Sequence, residues 1–230
     1  MKRLHAWGGA IAAAGMAVVI GGCAATPSAE TTTANQATLE NRAPFLPSAL
    51  FPGSAQRFDA WHCSPARQHL ITAVDGETLR LWSLHGAWRL PQAVVASGAR
   101  YQDGDISFWN RGEQALVETP RGQLKCELAA SRDASTRKDH PGVMFRGQGN
   151  EPGWSVALAN DTPTLTMELN YGEESVQQPY MVSVMDNEAG RVRIEAGACF
   201  DDMSGKPFPA RVTLTYGGEQ YSGCGQGIAP

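Results

Sequence analysis

The sequence predicts an all-β protein with two domains. The 230 residues include 25 glycines and 14 prolines and show no long helical periodicity, which together favour β-structure. Short apolar runs recur at close spacing, separated by turn-forming pairs such as Asp75-Gly76, a pattern typical of antiparallel strands. A chain of this length can hold one large or two small domains. A polar segment of mixed charge, residues 129–142, separates two sets of runs and is predicted to be the linker.

Residues 1–22 have the features of a secretory leader. Two basic residues come first, and the apolar run at 10–20 is too short to span a bilayer. Cys23 follows small residues, as in a bacterial lipobox, so we expect cleavage before Cys23 and acylation of that residue. An ordinary signal peptide with a chance cysteine is the alternative. Because Ala24 follows the cysteine, the usual sorting pattern favours the outer membrane.

Residues 23–57 are predicted to carry the lipid and act as a flexible tether. The first part of this segment is rich in Ala, Thr, Ser, Asn and Gln and has no hydrophobic periodicity, so it cannot offset its ordering entropy. Without the leader, 17 Lys and Arg face 23 Asp and Glu, which changes the net charge from -4 to -6. No basic patch indicates nucleic-acid binding, and an acidic body suits a basic protein partner.

The first folded domain is expected at residues 58–128. It opens with Trp61-His62-Cys63 and closes with Leu124-Lys125-Cys126. The strand-like runs between them lie at 69–74, 78–83, 88–90, 93–96, 105–109 and 114–118. The runs are short and joined by few residues, which indicates an antiparallel barrel or sandwich.

Residues 97–112 carry the most informative pattern in the chain. Two β-type segments flank a turn signal at Gly104-Asp105, with residues 94–95 leading in and residues 106–109 leading out. Ser97 and Arg111 are therefore expected near the ends of adjacent segments, where a hydroxyl and a guanidinium can both reach carboxylates. The aromatic residues are also compatible with the core of any small β-domain, and the Arg at position 100 with a structural charge. These aromatic residues are Tyr101, Phe108 and Trp109.

This pattern resembles the membrane-bound inhibitors of c-type lysozyme, which have Ser-Gly-Ala-Arg-Tyr followed by Phe/Trp-Trp-Thr-Lys-Gly. Here the first segment matches throughout, and the second has Asn110 for Thr and Arg111 for Lys. The resemblance covers about residues 58–128 and implies an eight-stranded antiparallel barrel. In the family, the Ser and the Lys enter the lysozyme cleft and meet its two catalytic carboxylates. The lysozyme-binding residues that the resemblance implies are Ser97, Gly98, Arg100, Tyr101, Asn110 and Arg111.

The second domain is expected at residues 143–230. Its strand-like runs lie at 153–158, 164–169, 180–185, 192–196 and 210–216, which predicts a further all-β meander. Three motifs resemble an uncharacterised bacterial envelope family: Gly149-Asn150-Glu151-Pro152-Gly153-Trp154, residues 199–205 and residues 221–225. No activity follows from that resemblance.

Five cysteines are present, and four remain if Cys23 is acylated. Four cysteines allow three pairings, of which pairing within each domain is the simplest: Cys63 with Cys126 and Cys199 with Cys224. An oxidising periplasm preserves such bonds. The alternative is that Cys199, Met203 and Cys224 bind Cu(I) as soft ligands. No Cys-x-x-Cys or His-x-x-x-His spacing supports a metal site, and we predict neither a metal nor a cofactor.

No catalytic set is evident in the sequence. Asp201 and Asp202 are adjacent, so on an extended strand they face opposite sides, and Ser204-Gly205 lacks a nucleophile-elbow context. We therefore predict a non-enzymatic inhibitor whose partners are c-type lysozyme, a typically basic protein, and the outer membrane, to which the N-terminal lipid anchors it facing the periplasm. One alternative is a structural or sensory envelope protein that binds peptidoglycan or another envelope protein. Another is a metal-handling lipoprotein built on the second domain.

Overall fold

The computed structural model describes residues 46–179 and 191–228, which form β-strands and two short 3-10 helices. The strands are β1 (Arg57–Ser64), β2 (Gln68–Asp75), β3 (Thr78–Ser83), β4 (Gly86–Ala93), β5 (Ala99–Asp103), β6 (Ile106–Asn110), β7 (Gln114–Thr119), β8 (Gly122–Asp133), β9 (Val143–Asn150), β10 (Gly153–Ala159), β11 (Thr164–Leu169), β12 (Glu174–Pro179), β13 (Arg191–Phe200), β14 (Pro207–Tyr216) and β15 (Glu219–Gly227). The 3-10 helices are Ser48–Leu50 and Asn170–Gly172. Within these two ranges, no helix has the length and apolar character needed to cross a membrane.

Strands β1 to β8 close into an antiparallel barrel in which each strand pairs with its sequence neighbours. Pairing of β1 with β8, with a bulge between Ala60 and Trp61, completes the closure. Side chains fill the interior, as expected for a barrel of eight strands. The Trp61 and Phe108 rings meet edge to face with centroids 5.3 Å apart, and Leu90 is fully buried beside them. The predicted eight-stranded antiparallel barrel is confirmed.

The second sheet has seven strands in the order β12-β11-β10-β9-β15-β14-β13. Buried and partly exposed residues alternate along β10 and β11, as they do when one face of a sheet is buried. The buried face carries Phe145, Val156, Met167 and Leu214. The prediction of a second all-β unit is confirmed for the described residues, and the run predicted at 180–185 lies outside them.

Three strands of this sheet, β9, β12 and β15, are absent from the sequence prediction. Two of them are rich in glycine, which normally weakens a strand. In β15, however, a Cβ atom at Gly223 would collide with the Gln148 carbonyl oxygen, and one at Gly225 would lie 2.6 Å from Phe145 Cζ. These glycines therefore allow the strand to pack closely against its neighbours, and they do not mark turns.

A strap, residues 46–56, lies between the barrel and the second sheet. These residues lie in the segment predicted to be the tether. Leu50 is buried in the core of the second sheet, while Trp82 Nε1 of the barrel donates to the Ala49 carbonyl oxygen at 2.7 Å. Arg80 Nη1 also donates to carbonyl oxygens of the strap, those of Ser48 and Phe51. The strap thus contacts both sheets, and its distance from the barrel is fixed by hydrogen bonds.

The two sheets also contact each other directly. A small core combines Phe58 and Trp82 of the barrel with Ala198 of β13. The guanidinium of Arg132, in the part of β8 that extends into the predicted linker, lies between the Phe58 ring (4.9 Å) and the Phe208 ring (4.0 Å). Burial lowers the pKa of Arg132 to about 10, so this side chain stays charged at neutral pH.

Arg132 also bridges the sheets by hydrogen bonds. Its Nε donates to the Pro207 carbonyl oxygen at 2.8 Å, and its Nη2 to Gln226 Oε1 at 2.6 Å. Cation–π contacts of this kind, when desolvated, contribute more than exposed ones. The arginine therefore joins the last barrel strand to two strands of the second sheet.

Both predicted disulfides are present. Cys63–Cys126 joins β1 to β8 within the barrel, and Cys199–Cys224 joins β13 to β15 within the second sheet. The two cysteine sulfurs considered above as copper ligands are therefore bonded to each other. In the described ranges, no three His, Cys, Asp or Glu side chains are grouped so that they could hold a metal ion.

Candidate functional site

Ser97 and Arg111 lie on neighbouring loops at one end of the barrel. Residues 94–98 connect β4 to β5, and residues 111–113 connect β6 to β7. Ala99 of β5 pairs with Asn110 of β6, so the residues just before β5 and just after β6 leave the sheet side by side. Ser97 and Arg111 are both exposed.

The hairpin of β5 and β6 sets this arrangement. Its turn is Gly104-Asp105, as the sequence predicts, and the register starts with Asp103 opposite Ile106. Both strands have five residues, so their far ends coincide. The leading strand differs from the prediction: residues 94–95 belong to the loop, and the strand begins at Ala99.

Gly98 allows the two loops to approach each other. Its φ of +71° lies in the left-handed region, which favours glycine. A Cβ at this position would lie 2.5 Å from the Asn110 carbonyl oxygen and 3.5 Å from Arg111 Cγ. A larger residue would therefore push the Ser97 loop away from the Arg111 side chain.

Asn110 fixes the backbone around Arg111. Its Oδ1 accepts a hydrogen bond from the Gly112 amide at 2.9 Å, which is an Asx turn. The Arg111 amide donates to the Gln114 carbonyl oxygen at 2.8 Å. Hydrogen bonds thus hold the backbone of this loop on both sides of Arg111, whose side chain projects from it.

Trp109 links the two loops, which the sequence analysis does not foresee. Its Nε1 donates to the Ser97 carbonyl oxygen at 3.1 Å, and its ring centroid lies 3.6 Å from Arg111 Cζ. The sequence leaves a core position open for Trp109. Phe108 is fully buried, however, and successive residues of a strand face opposite sides, so the next ring lies on the outer surface. The alternation of successive strand residues between the two faces was the sequence signal that could have placed Trp109 on the outer surface.

Arg100 and Tyr101 lie away from the loop tips. Tyr101 is buried in the barrel core. Arg100 Nη2 pairs with Glu118 Oε2 at 2.7 Å, and the same oxygen accepts a hydrogen bond from Ser107 Oγ at 2.9 Å. The bond from Ser107, with further ones from Gln123 and the charge of Arg100, lowers the pKa of the Glu118 carboxyl. Of the six predicted residues, the structure therefore brings together four at the barrel end: Ser97, Gly98, Asn110 and Arg111.

The electrostatic character of the site follows from these contacts. The carboxylate of Glu118, on the neighbouring strand β7, is already paired with Arg100 in the barrel wall. Arg111 instead has an aromatic face beneath it, and a cation over a ring keeps its charge and its donors available at the edges. The barrel end presents a hydroxyl and a cation on adjacent loops, a combination that can receive two carboxylates.

Comparison with known proteins agrees with this geometry. The family model of the membrane-bound lysozyme inhibitors of c-type lysozyme matches residues 61–125, a span that includes both loops. No curated protein matches the chain. The second sheet and the strap lie outside the matched span. The barrel of this chain is therefore similar to the inhibitors of c-type lysozyme.

Proposed function

We propose that this protein inhibits c-type lysozyme by inserting the Ser97 and Arg111 loops into the active-site cleft of the enzyme. The observation that carries the proposal is the placement of these two side chains on adjacent loops at one barrel end, within the matched segment. Retaining glycosidases such as lysozyme use two carboxyl groups about 5–5.5 Å apart. A protein that fills the cleft and satisfies both groups stops catalysis without any chemistry of its own.

The two side chains have different roles in this proposal. The Ser97 hydroxyl donates a hydrogen bond to one carboxyl group, and the Arg111 guanidinium pairs with the other. Burying a cation requires its desolvation, which a close hydrogen-bonded carboxylate can offset. Stacking on Trp109 restricts the Arg111 side chain before the enzyme arrives, so less conformational entropy is lost on binding.

The cation is an arginine where the family has a lysine. A guanidinium is planar, offers five donors and stacks on aromatic rings, whereas an ammonium is a compact point charge. The Trp109 ring supports the flat group directly. We infer that Arg111 replaces the lysine functionally, with bidentate contact to a single carboxylate as the geometric gain over the ammonium.

We further infer a periplasm-facing position at the outer membrane, anchored through lipid on Cys23. Cys23 and the first part of the tether lie outside the described residues. The support is the lipobox-like sequence before Cys23 and the membrane-bound character of the matched family. The acidic net charge of -6 without the leader also favours attraction of a basic enzyme.

The test is inhibition of lysis. A purified c-type lysozyme is mixed with cell-wall substrate and increasing amounts of the chain from residue 24 onward. Wild type should slow lysis in a saturable way, and Arg111→Ala should require more protein for the same effect. Arg121→Ala is the matched control, because Arg121 is exposed in the β7–β8 turn at the other end of the barrel. Undiminished lysis at saturating wild-type protein would refute the proposal.

A further inference from the structure

A shallow groove runs along β10 on the outer face of the second sheet. Its volume is about 330 Å³, and small residues, Gly153 and Ser155, form its floor. Ser155 pairs with Gln148 of β9 on one side and with Glu168 of β11 on the other. Longer side chains therefore flank a strand of small ones, and Ser155 Oγ donates to Glu168 Oε2 at 3.0 Å.

An exposed aromatic ring stands at one end of this groove. Tyr171 is 77% exposed, yet it is held in place: its hydroxyl donates to the Asn150 carbonyl oxygen at 2.9 Å. A Cβ atom at Gly153 would collide with the ring, so only glycine allows the ring to lie at that position. Tyr171 also has a φ of +59°, a left-handed conformation that is unfavourable for a non-glycine residue and is concentrated at functional sites.

The motifs left without a function in the sequence meet at this groove. Asn150 Nδ2 donates to Asp201 Oδ2 at 2.9 Å and also to Asp202, which ties the Gly-Asn-Glu-Pro-Gly-Trp segment to the loop after β13. Asp201 in turn accepts hydrogen bonds from the amide and hydroxyl of Ser204. The fixed loop displays Met203, which is 73% exposed and lines the groove.

We propose that this groove binds the glycan strand of peptidoglycan. The C–H face of a sugar ring packs on an aromatic face, here that of Tyr171, while its hydroxyl and acetamido groups need several donors and acceptors. Gln148, Glu168 and Arg146 supply amide, carboxylate and guanidinium groups along the groove. Met203 offers an adaptable apolar contact for acetamido methyl groups.

Two observations favour a glycan over a peptide or a polyanion. Strands β9, β10 and β11 each pair with a neighbour on both sides, so their backbone groups are not free to add a peptide strand. The groove must therefore recognise its ligand through side chains. It contains both Arg146 and Glu168, which does not create the one-sided positive field that attracts a polyanion.

This binding site is separate from the barrel loops and goes beyond the proposed inhibition. It would hold the inhibitor on the same polymer that lysozyme cleaves. The two functions have independent readouts, because one concerns a carbohydrate and the other an enzyme.

The test uses the chain from residue 24 onward, without lysozyme. Co-sedimentation with purified peptidoglycan sacculi measures binding to the polymer, and titration with a soluble β-1,4-linked N-acetylglucosamine oligomer, followed by tryptophan fluorescence, measures binding to the glycan alone. Tyr171→Asn removes the ring and keeps a residue that tolerates the left-handed conformation. Ser155→Tyr fills the groove floor. Leu84→Asn, at an exposed barrel residue, is the control, and circular dichroism verifies that each variant folds.

We expect wild type and Leu84→Asn to sediment with sacculi and to bind the oligomer equally. Tyr171→Asn should weaken oligomer binding about two- to tenfold, and Ser155→Tyr should abolish it. Absence of oligomer binding by wild type, or wild-type binding by both groove variants, overturns the proposal. Sedimentation that disappears once an amidase has removed the stem peptides also overturns the proposal, because the protein would then recognise the peptide part of peptidoglycan. Loss of lysozyme inhibition alone would refute only the proposed function of the barrel.

Discussion

The Trp109 ring lies 3.6 Å from Arg111 Cζ, and the same indole donates a hydrogen bond to the Ser97 carbonyl oxygen. One side chain therefore positions both groups that we propose to enter the lysozyme cleft. The proposed inhibitory site is consequently a unit of three residues, of which we expect two to touch the enzyme and one to position them.

Replacing Trp109 should weaken lysozyme binding through Arg111. Trp109→Leu removes the stacking and the bond to Ser97, and we expect binding about two- to sixfold weaker. Trp109→Phe keeps a ring and should lie between wild type and Trp109→Leu. Calorimetric titration with lysozyme measures the effect, which should shrink in an Arg111→Ala background to the part that acts through Ser97. Additive effects of the two changes would mean that Trp109 does not act through the arginine.

Arg111→Ala should weaken lysozyme binding more than Ser97→Ala. The first change leaves a buried carboxylate without its cation, typically a loss of about 2–5 kcal/mol. The second removes a neutral donor to a charged acceptor, about 1.5–3 kcal/mol. Arg111→Lys should fall between wild type and alanine. Titrations at two salt concentrations measure all three, and Arg111→Ala binding as tightly as wild type would show that this side chain faces solvent in the complex.

Asp75→Asn should destabilise the protein at neutral pH. Burial acts to raise the pKa of Asp75, but hydrogen bonds from the Ser54 hydroxyl and amide and from Arg80 outweigh it and lower the pKa to about 2. The folded-state value lies below the usual 3.8, so the ionised carboxylate stabilises the fold above about pH 4, and this contribution is lost as pH falls towards 2. We expect Asp75→Asn to lower the free energy of unfolding by about 2 kcal/mol at pH 7.

Urea unfolding at several pH values tests this expectation. The difference between wild type and Asp75→Asn should shrink between pH 4 and pH 2. Asp103→Asn, at an exposed strand residue, serves as the control and should stay close to wild type throughout. A difference between wild type and Asp75→Asn that is independent of pH would rule out the carboxylate as its source.

Arg132→Leu should loosen the junction between the two sheets. The substitution leaves the Pro207 carbonyl oxygen and Gln226 Oε1 without a donor, which should lower the free energy of unfolding by about 1–3 kcal/mol. Arg137→Leu, five positions further along at an exposed residue, should have little effect. Thermal unfolding and limited proteolysis measure both variants, and equal stability of the two would mean that the junction does not depend on Arg132.

Cys23→Ser should prevent anchoring. The lipobox-like sequence predicts that acylation of Cys23 holds the protein at the outer membrane, since two or more acyl chains anchor stably. Membrane fractionation and mass spectrometry of the mature N-terminus follow the change. A Cys23→Ser protein that is processed normally and still fractionates with outer membranes would contradict lipid anchoring.

The sequence predicts much of the barrel and less of the second sheet, for a physical reason. Two of the barrel hairpins turn at the predicted pairs, Asp75-Gly76 and Gly104-Asp105, so local signals and the final structure agree there. In β9 and β15, glycines fit where strands approach too closely for a Cβ atom. In the sequence alone, such glycines indicate the end of a strand. Close approach is a tertiary property, which a local pattern does not contain.

The candidate site also has a part that the sequence predicts and a part that depends on tertiary structure. The motif places Ser97 and Arg111 at neighbouring strand ends, and hairpin register then brings them together. The roles of Arg100, Tyr101 and Trp109 depend on which face each side chain takes and on the pairing of Arg100 with Glu118 across the barrel wall. Those partners lie far apart in the sequence, and only the folded barrel brings them together.

The strap of residues 46–56 determines how mechanical load enters the molecule. The proposed lipid on Cys23 would transmit tension from the membrane to the described residues at the strap, which is held by Leu50 in the core of the second sheet and by a hydrogen bond from Trp82 of the barrel. Tension would act first on the strap and its hydrogen bonds. The Cys63–Cys126 crosslink holds the far end of β1 to β8, so pulling alone cannot separate β1 completely from the barrel. Under the proposed anchoring, we expect the strap to yield before the barrel, so that the barrel end with Ser97 and Arg111 keeps its shape.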